Sequence, residues 1–106
     1  MRPGRYLPAM AALLFGMIAV PAHAATIQIT MQDLVFAPAE VSGKVGDTIE
    51  WINKDVFVHT ATARNGDFDV NIAPKKTVTS VLKKAGTVEY YCRFHPNMKA
   101  VLTIAP

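Results

Sequence analysis

Thr87-Val88-Glu89-Tyr90-Tyr91-Cys92-Arg93-Phe94-His95-Pro96-Asn97-Met98 decides how the rest of this chain is read. Its first half alternates apolar and polar side chains, the period of two that marks a strand with one buried face. Val88, Tyr90 and Cys92 therefore share the inward face, and Glu89 and Tyr91 the outer one. Its second half is a loop, residues 93–97, that carries the chain round to Met98 at the opening of a last strand. This places a thiol, an imidazole and a thioether three residues apart at Cys92, His95 and Met98. Thiolate and thioether are soft donors that favour copper, and imidazole suits both copper oxidation states. Two histidines, one cysteine and a distant methionine describe a blue-copper electron-transfer site. His59 is the sole other histidine after residue 24, so the ligand set reads His59, Cys92, His95 and Met98, with one copper ion.

The same alternation returns at residues 26–31, 48–52, 56–59, 78–82 and 100–104. Val45-Gly46-Asp47, Asn65-Gly66-Asp67, Ala73-Pro74-Lys75-Lys76 and Lys84-Ala85-Gly86 interrupt it with residues that suit tight turns. Many short strands in so few residues predict an all-β fold, an antiparallel sandwich or barrel with Greek-key connections. His59 is expected to end the strand that holds Val56-Phe57-Val58, brought by the sandwich beside the Cys92 loop. A metal held there is expected to tie the two sheets together at one end, and its binding to stabilise the fold by mass action.

Residues 1–24 read as a cleaved secretory signal peptide and residues 25–106 as a single domain. Arg2 and Arg5 precede an apolar run over residues 9–20, and Pro21-Ala22-His23-Ala24 supplies the small-x-small ending of a signal cut after Ala24. The run falls short of the roughly 20 apolar residues of a membrane span, so no stable membrane insertion is expected after cleavage. Arg2 and Arg5 are not a twin-arginine pair, which favours export of an unfolded chain to the periplasm, with metal acquired there. Cleavage lowers the formal net charge from +3 to +1, so the basic balance of the whole chain is no argument for a nucleic-acid partner. With Cys92 the only cysteine, an intrachain disulfide is impossible. A lone thiol in an oxidising compartment calls for a reason: a ligand, a nucleophile or a pairing between chains.

Each ligand alone has a plain structural reading. His59 could be a packed histidine, Cys92 a small buried hydrophobe, Met98 core filler and His95 a loop residue. It is the spacing C-x-x-H-x-x-M between two strands, with one upstream histidine and no spare cysteine, that favours the metal. Structural zinc sites close on cysteine, histidine or carboxylate and do not recruit a thioether. A nucleophilic Cys92 activated by His95 would need an orienting partner and a cleft, for which no candidates stand out. Only two histidines follow residue 24, too few for a second copper centre.

Beyond these residues the chain resembles the cupredoxins, and within them it is most similar to amicyanin, with pseudoazurin and plastocyanin more distant. Val45-Gly46-Asp47-Thr48, Trp51-Ile52-Asn53, His59, Ala85-Gly86-Thr87, Tyr91-Cys92 and His95-Pro96-Asn97-Met98 follow the amicyanin order, and the short Cys-to-His and His-to-Met spacings are its form. The resemblance implies His59 and His95 as ring-nitrogen ligands, Cys92 as the equatorial thiolate and Met98 as the weak axial ligand. It implies further that the N–H of Thr60 points to the Cys92 sulfur and that the Asn53 side chain supports the ligands. The chain departs from amicyanin in a short lead into the first strand, a shorter stretch between His59 and Cys92, and Phe94 where amicyanin has a proline.

The resemblance implies a carrier of single electrons and not an enzyme. His95 would be the exit, set in a patch of Phe94, Pro96 and Asn97 with Arg93 and Lys99 as a basic rim. Partners would be redox proteins bound transiently by a monomer, such as a c-type cytochrome or a periplasmic dehydrogenase. Methylamine dehydrogenase, the partner of amicyanin, is tied to surface features and does not follow from the ligands. The alternative is a copper chaperone or buffer. It has thinner support, because Met31 and Met98 are the only methionines after residue 24 and Ala25-Thr26-Ile27 lacks a third-position histidine.

Overall fold

A computed structural model describes residues 23–106. All regular structure among them is strand: β1 Thr26–Gln32, β2 Val35–Ala37, β3 Glu40–Lys44, β4 Thr48–Asn53, β5 His59–Ala63, β6 Asp69–Ile72, β7 Thr77–Val81, β8 Gly86–Tyr91 and β9 Lys99–Ala105. They form two sheets, ordered β2-β1-β4-β7 and β3-β9-β8-β5-β6. The expected signal peptide lies outside the described residues except for its last two, His23 and Ala24.

The alternation seen in the sequence is what closes the two sheets on each other. Ile29, Met31, Ile49 and Trp51 point in from the first sheet, and Ile72, Val88, Tyr90, Leu102 and Ile104 from the second, all buried. Tyr90 is the hub, with its ring 4.8 Å from Phe36 and 5.3 Å from Trp51, both edge-on. Edge-to-face contact suits the aromatic quadrupole. Trp51 satisfies its ring N–H on Ser80 Oγ at 2.9 Å, whereas the Tyr90 hydroxyl has no partner among the described residues. Burial accordingly pushes the Tyr90 hydroxyl above its ordinary pKa.

Three expectations are corrected. The sandwich is not purely antiparallel: β1 pairs with β4, and β3 with β9, in parallel. Those partners are not consecutive, because the chain crosses to the other sheet between them, which lets a strand return in the same direction. Second, residues 56–58 are not strand, and His59 begins β5 instead of ending a strand. Asn53 Oδ1 accepts from the Asp55 N–H at 2.9 Å, and Asn53 Nδ2 donates to the Phe57 carbonyl at 2.8 Å. Such side-chain turns offer the backbone an alternative to a ladder and override the β propensity of valine and phenylalanine. Third, Cys92 lies just past β8 and Met98 just before β9, so the candidate ligands all stand at one end of the second sheet and do not join the two sheets. The bridge between sheets is Asn53, at the end of β4. Its Nδ2 also reaches the carbonyls of Ile72 at 3.1 Å and Ala73 at 3.2 Å.

Candidate metal centre

The loop after β8 closes on itself. The His95 N–H donates to the Cys92 carbonyl at 3.3 Å, Met98 N–H to the His95 carbonyl at 2.8 Å, and Cys92 N–H to the Met98 carbonyl at 3.1 Å. These turns set the three-residue spacing of the side chains, with Cys92 and Met98 buried and His95 half-buried. His59 arrives from β5, far away in sequence, and is fully buried. Its Nδ1 lies 3.6 Å from Cys92 Sγ, and His95 Nδ1 lies 3.7 Å from the same sulfur. The three donor atoms are all within 4.8 Å of one another.

Thr60 and Asn53, the two groups expected beside the ligands, both lie next to this arrangement. Thr60 N–H donates to Cys92 Sγ at 3.4 Å, and the Thr60 hydroxyl accepts the Arg93 N–H at 2.8 Å, which holds the start of the loop against β5. Asn53, buried, pins the segment that leads into His59.

A third was missed. His59 Nε2–H donates to Asp55 Oδ2 at 2.8 Å. Asp55 is fixed in turn by the N–H groups of Asp33 at 2.7 Å and Leu34 at 3.0 Å, at the tip of the β1–β2 hairpin. Burial opposes charge on Asp55, but the Leu34 N–H, the His59 ring and the Asp33 N–H together hold its carboxyl below the usual value. An ionised carboxylate only accepts hydrogen bonds, so it assigns the proton to Nε2 and leaves the Nδ1 lone pair facing the centre. A carboxylate four residues before a histidine is a visible signal. It carries no helical or strand meaning there, and only the Asx turn brings the pair together.

The surface around His95 is more apolar than the loop alone implied. Phe94 is 51% exposed, and Leu34, Val56 and Phe57, at 42%, 69% and 50%, were not foreseen there. Phe57 stands edge-on to the His95 ring at 5.7 Å, and Leu34 shares a surface hollow with Phe94, His95, Pro96, Asn97 and Met98. Of the expected basic rim, Arg93 stands with Cζ 5.4 Å from the centroid of the Phe94 ring, and the rest differs. Arg93 Nε is bridged to Asp69 Oδ1 at 3.2 Å, and Lys99 shares its groove with Glu40, Arg64 and Glu89. Lys54 and Lys75 instead flank Val56 and Phe57.

Two imidazole nitrogens and one thiol sulfur in a buried cluster, with a thioether residue at the end of the same loop, match the donor preferences of copper. Among the described residues no carboxylate enters the cluster, and Asp55 stands behind His59.

Comparison with known proteins agrees with this picture. A family model described as a cupredoxin-like domain matches residues 6–104. Amicyanin of Paracoccus versutus is 25% identical over 91 residues, 80% of this chain and 67% of that protein. Plastocyanin of Nostoc punctiforme is 31% identical over 88 residues, 67% of this chain and 63% of that protein. Among solved structures, the reduced state of an amicyanin mutant superposes with a TM-score of 0.64 at 25% identity, over 74% of this chain and 81% of that one.

Proposed function

The chain belongs to the cupredoxin-like family, and from that premise we propose that it is a type 1 copper protein that passes single electrons between redox proteins in the periplasm. The observation that carries the reading is the meeting of His59 Nδ1, Cys92 Sγ and His95 Nδ1 within 4.8 Å, beneath the Thr60 N–H. His59, Cys92 and His95 would hold the copper, with Met98 at the end of the same loop as the fourth donor. Residues so placed would let a bound copper ion supply one-electron exchange between Cu(II) and Cu(I).

The protein's residues do the rest. Asn53, Asp55 and Thr60 keep the buried ligands in place in both oxidation states, which lowers reorganisation. The Thr60 N–H withdraws charge from the Cys92 sulfur and so favours Cu(I), whereas the Asp55 carboxylate behind His59 favours Cu(II). His95 is the exit. Its half-buried ring lies among Leu34, Phe57, Phe94 and Pro96, an apolar face that excludes water from a brief encounter. Lys54 and Lys75, more than the bridged Arg93, give that face a positive flank for a partner acidic around its own redox centre, such as a c-type cytochrome or a dehydrogenase. The leader reading of residues 1–24 supports delivery to the periplasm.

The test is an absorption spectrum of the chain from Ala25, titrated with Cu(II) and reduced with ascorbate. An intense blue band from Cys92 thiolate-to-copper charge transfer that bleaches and returns is expected. A pale adduct without that band overturns the reading.

A further inference from the structure

β1 and β4 run in parallel toward the metal centre, so Ala25 and Asp47, which precede them, meet at the other end of the sandwich. Asp47 is 3% exposed although it is a carboxylate in a turn. Three donors converge on it: the Ala25 N–H reaches Oδ1 at 2.8 Å, the Lys44 N–H reaches Oδ2 at 3.0 Å, and Lys44 Nζ lies 3.4 Å from Oδ1. The Ala25 N–H, followed by the Lys44 N–H, holds the Asp47 carboxyl below its ordinary value against the effect of burial. The Ala25 carbonyl accepts the Thr48 N–H at 2.9 Å, so the residue is fixed on both sides. Lys44 Nζ also donates to the His23 carbonyl at 3.3 Å, and His23, Ala24 and Ala25 are exposed.

The nitrogen aimed at this carboxylate is the one that cleavage after Ala24 would free. We propose that processing converts the Ala25 peptide N–H into an α-ammonium ion-paired with Asp47, so that maturation completes the end of the fold remote from the metal. The inference rests on the leader reading given above. Hydrolysis by a leader peptidase breaks the Ala24–Ala25 C–N bond. The hydroxyl of water goes to the Ala24 carbonyl carbon and its hydrogen to the Ala25 nitrogen, which then takes up a proton from solvent. The neutral N–H···O⁻ contact becomes N⁺–H···O⁻, a charge-assisted bond that is the stronger of the two. Lys44 Nζ gives up the His23 carbonyl and keeps Asp47. The position of the cut then matters to one residue: a chain beginning at Ala24 retains only the neutral amide, and a chain beginning at Thr26 lacks the donor.

The experiment compares copper-loaded chains beginning at Ala24, Ala25 and Thr26, each with and without Asp47→Asn, by thermal melting. The chain from Ala25 is expected to melt highest, about 5 °C above the chain from Ala24, the scale on which one interaction moves a domain of this size. The gap should close in the Asp47→Asn background, as a coupled pair requires. Equal melting of the Ala24 and Ala25 chains with Asp47 intact overturns the pair. If Asp47→Asn does not fold, acylation of the Ala25 amine decides. It should be about tenfold slower in the folded protein than in a peptide of residues 25–30, as one unit of charged-form stabilisation gives, and equal rates overturn the proposal. The mass of the protein recovered from exporting cells separates the two readings. A start other than Ala25 overturns the leader reading and the maturation step with it, whereas an Ala25 start with equal melting overturns the ion pair alone.

Discussion

The two histidines of the centre are held in opposite ways. His95 belongs to a loop closed by its own backbone between Cys92 and Met98, and its half-buried ring stands edge-on to Phe57 and His59 with no hydrogen-bonded brace behind it among the described residues. His59 is fully buried, tied to Asp55 at Nε2 and seated on a backbone that Asn53 fastens to Ile72 and Ala73. Local closure positions a ligand at little cost in chain entropy, because few residues are ordered to make it. Long-range bracing costs more and gives a ligand that cannot move without disturbing both sheets. The division suits the proposed carrier, with one braced ligand to keep the geometry and one half-buried ligand where an electron would leave.

Cys92 puts its sulfur beside both histidines, and its loss should have the largest effect. Cys92→Ala is expected to abolish the charge-transfer band entirely while the apo fold persists, since the loop's backbone bonds do not use the sulfur. Circular dichroism beside the absorption spectrum checks this. Loss of the strand signal along with the band would show that the thiol is needed for the fold itself.

The braced side should break next. Asn53→Ala strips donors from the carbonyls of Phe57, Ile72 and Ala73 and the acceptor from Asp55 N–H. Leaving buried polar groups unpaired is expected to cost about 2–3 kcal/mol in denaturant unfolding. It should also broaden the electron paramagnetic resonance lines of the Cu(II) protein as His59 loosens. A variant as stable as the parent would mean that Asn53 fills space and does not brace.

Asp55→Asn sharpens the comparison at the cost of one hydrogen bond in the Asp33–Leu34 turn. An amide oxygen can still accept from His59 and Leu34, but the amide NH2 then faces the Asp33 N–H in place of an acceptor, and the negative charge is gone. Copper affinity should fall by about 10–100-fold, as loss of a partner behind a ligating histidine does. The potential should rise as well, because Cu(II) loses more stabilisation than Cu(I). Voltammetry that shows no rise would place the Asp55 charge outside the reach of the copper.

How far these differences were legible in the sequence follows the same division. The Cys92–Met98 loop was readable because its ligands are close in sequence and the strand before it alternates cleanly, with Val88 and Tyr90 buried and Glu89 exposed. The bracing of His59 was only half readable. Thr60 and Asn53 entered through resemblance, while Asp55 and the Asp33–Leu34 turn that holds it gave no periodic signal. β5 was misplaced because its residues Thr60–Ala63 are small and weakly apolar, yet mostly buried, whereas the more apolar Val56 and Phe57 are turned out to solvent by the turn that Asn53 and Asp55 form. Likewise β2, β3 and β6 are short strands interrupted or flanked by Pro38, Gly43 and Asp67. Their pairing comes from the sheet around them.

The smallest expected effect tests what the surface end of the bracing is for. Asp33 and Leu34 form a two-residue hairpin turn with φ of 55° and 61°, a left-handed conformation that suits Asn-Gly and that leucine adopts at a cost. Two features offset that cost: Asp55 accepts both N–H groups of the turn, and the Leu34 side chain joins the apolar face around His95. Leu34→Gly should therefore stabilise the protein by up to about 1 kcal/mol, since glycine relieves the strain and both N–H bonds to Asp55 remain. Electron transfer to a partner should slow over the same substitution, because the face loses one of its exposed apolar side chains. A stabilised variant with unchanged transfer would leave the strain of the turn established and remove the surface role of Leu34, and a destabilised one would show that the side chain packs against the loop. Only the combination of greater stability and slower transfer identifies a turn residue kept for the surface it builds.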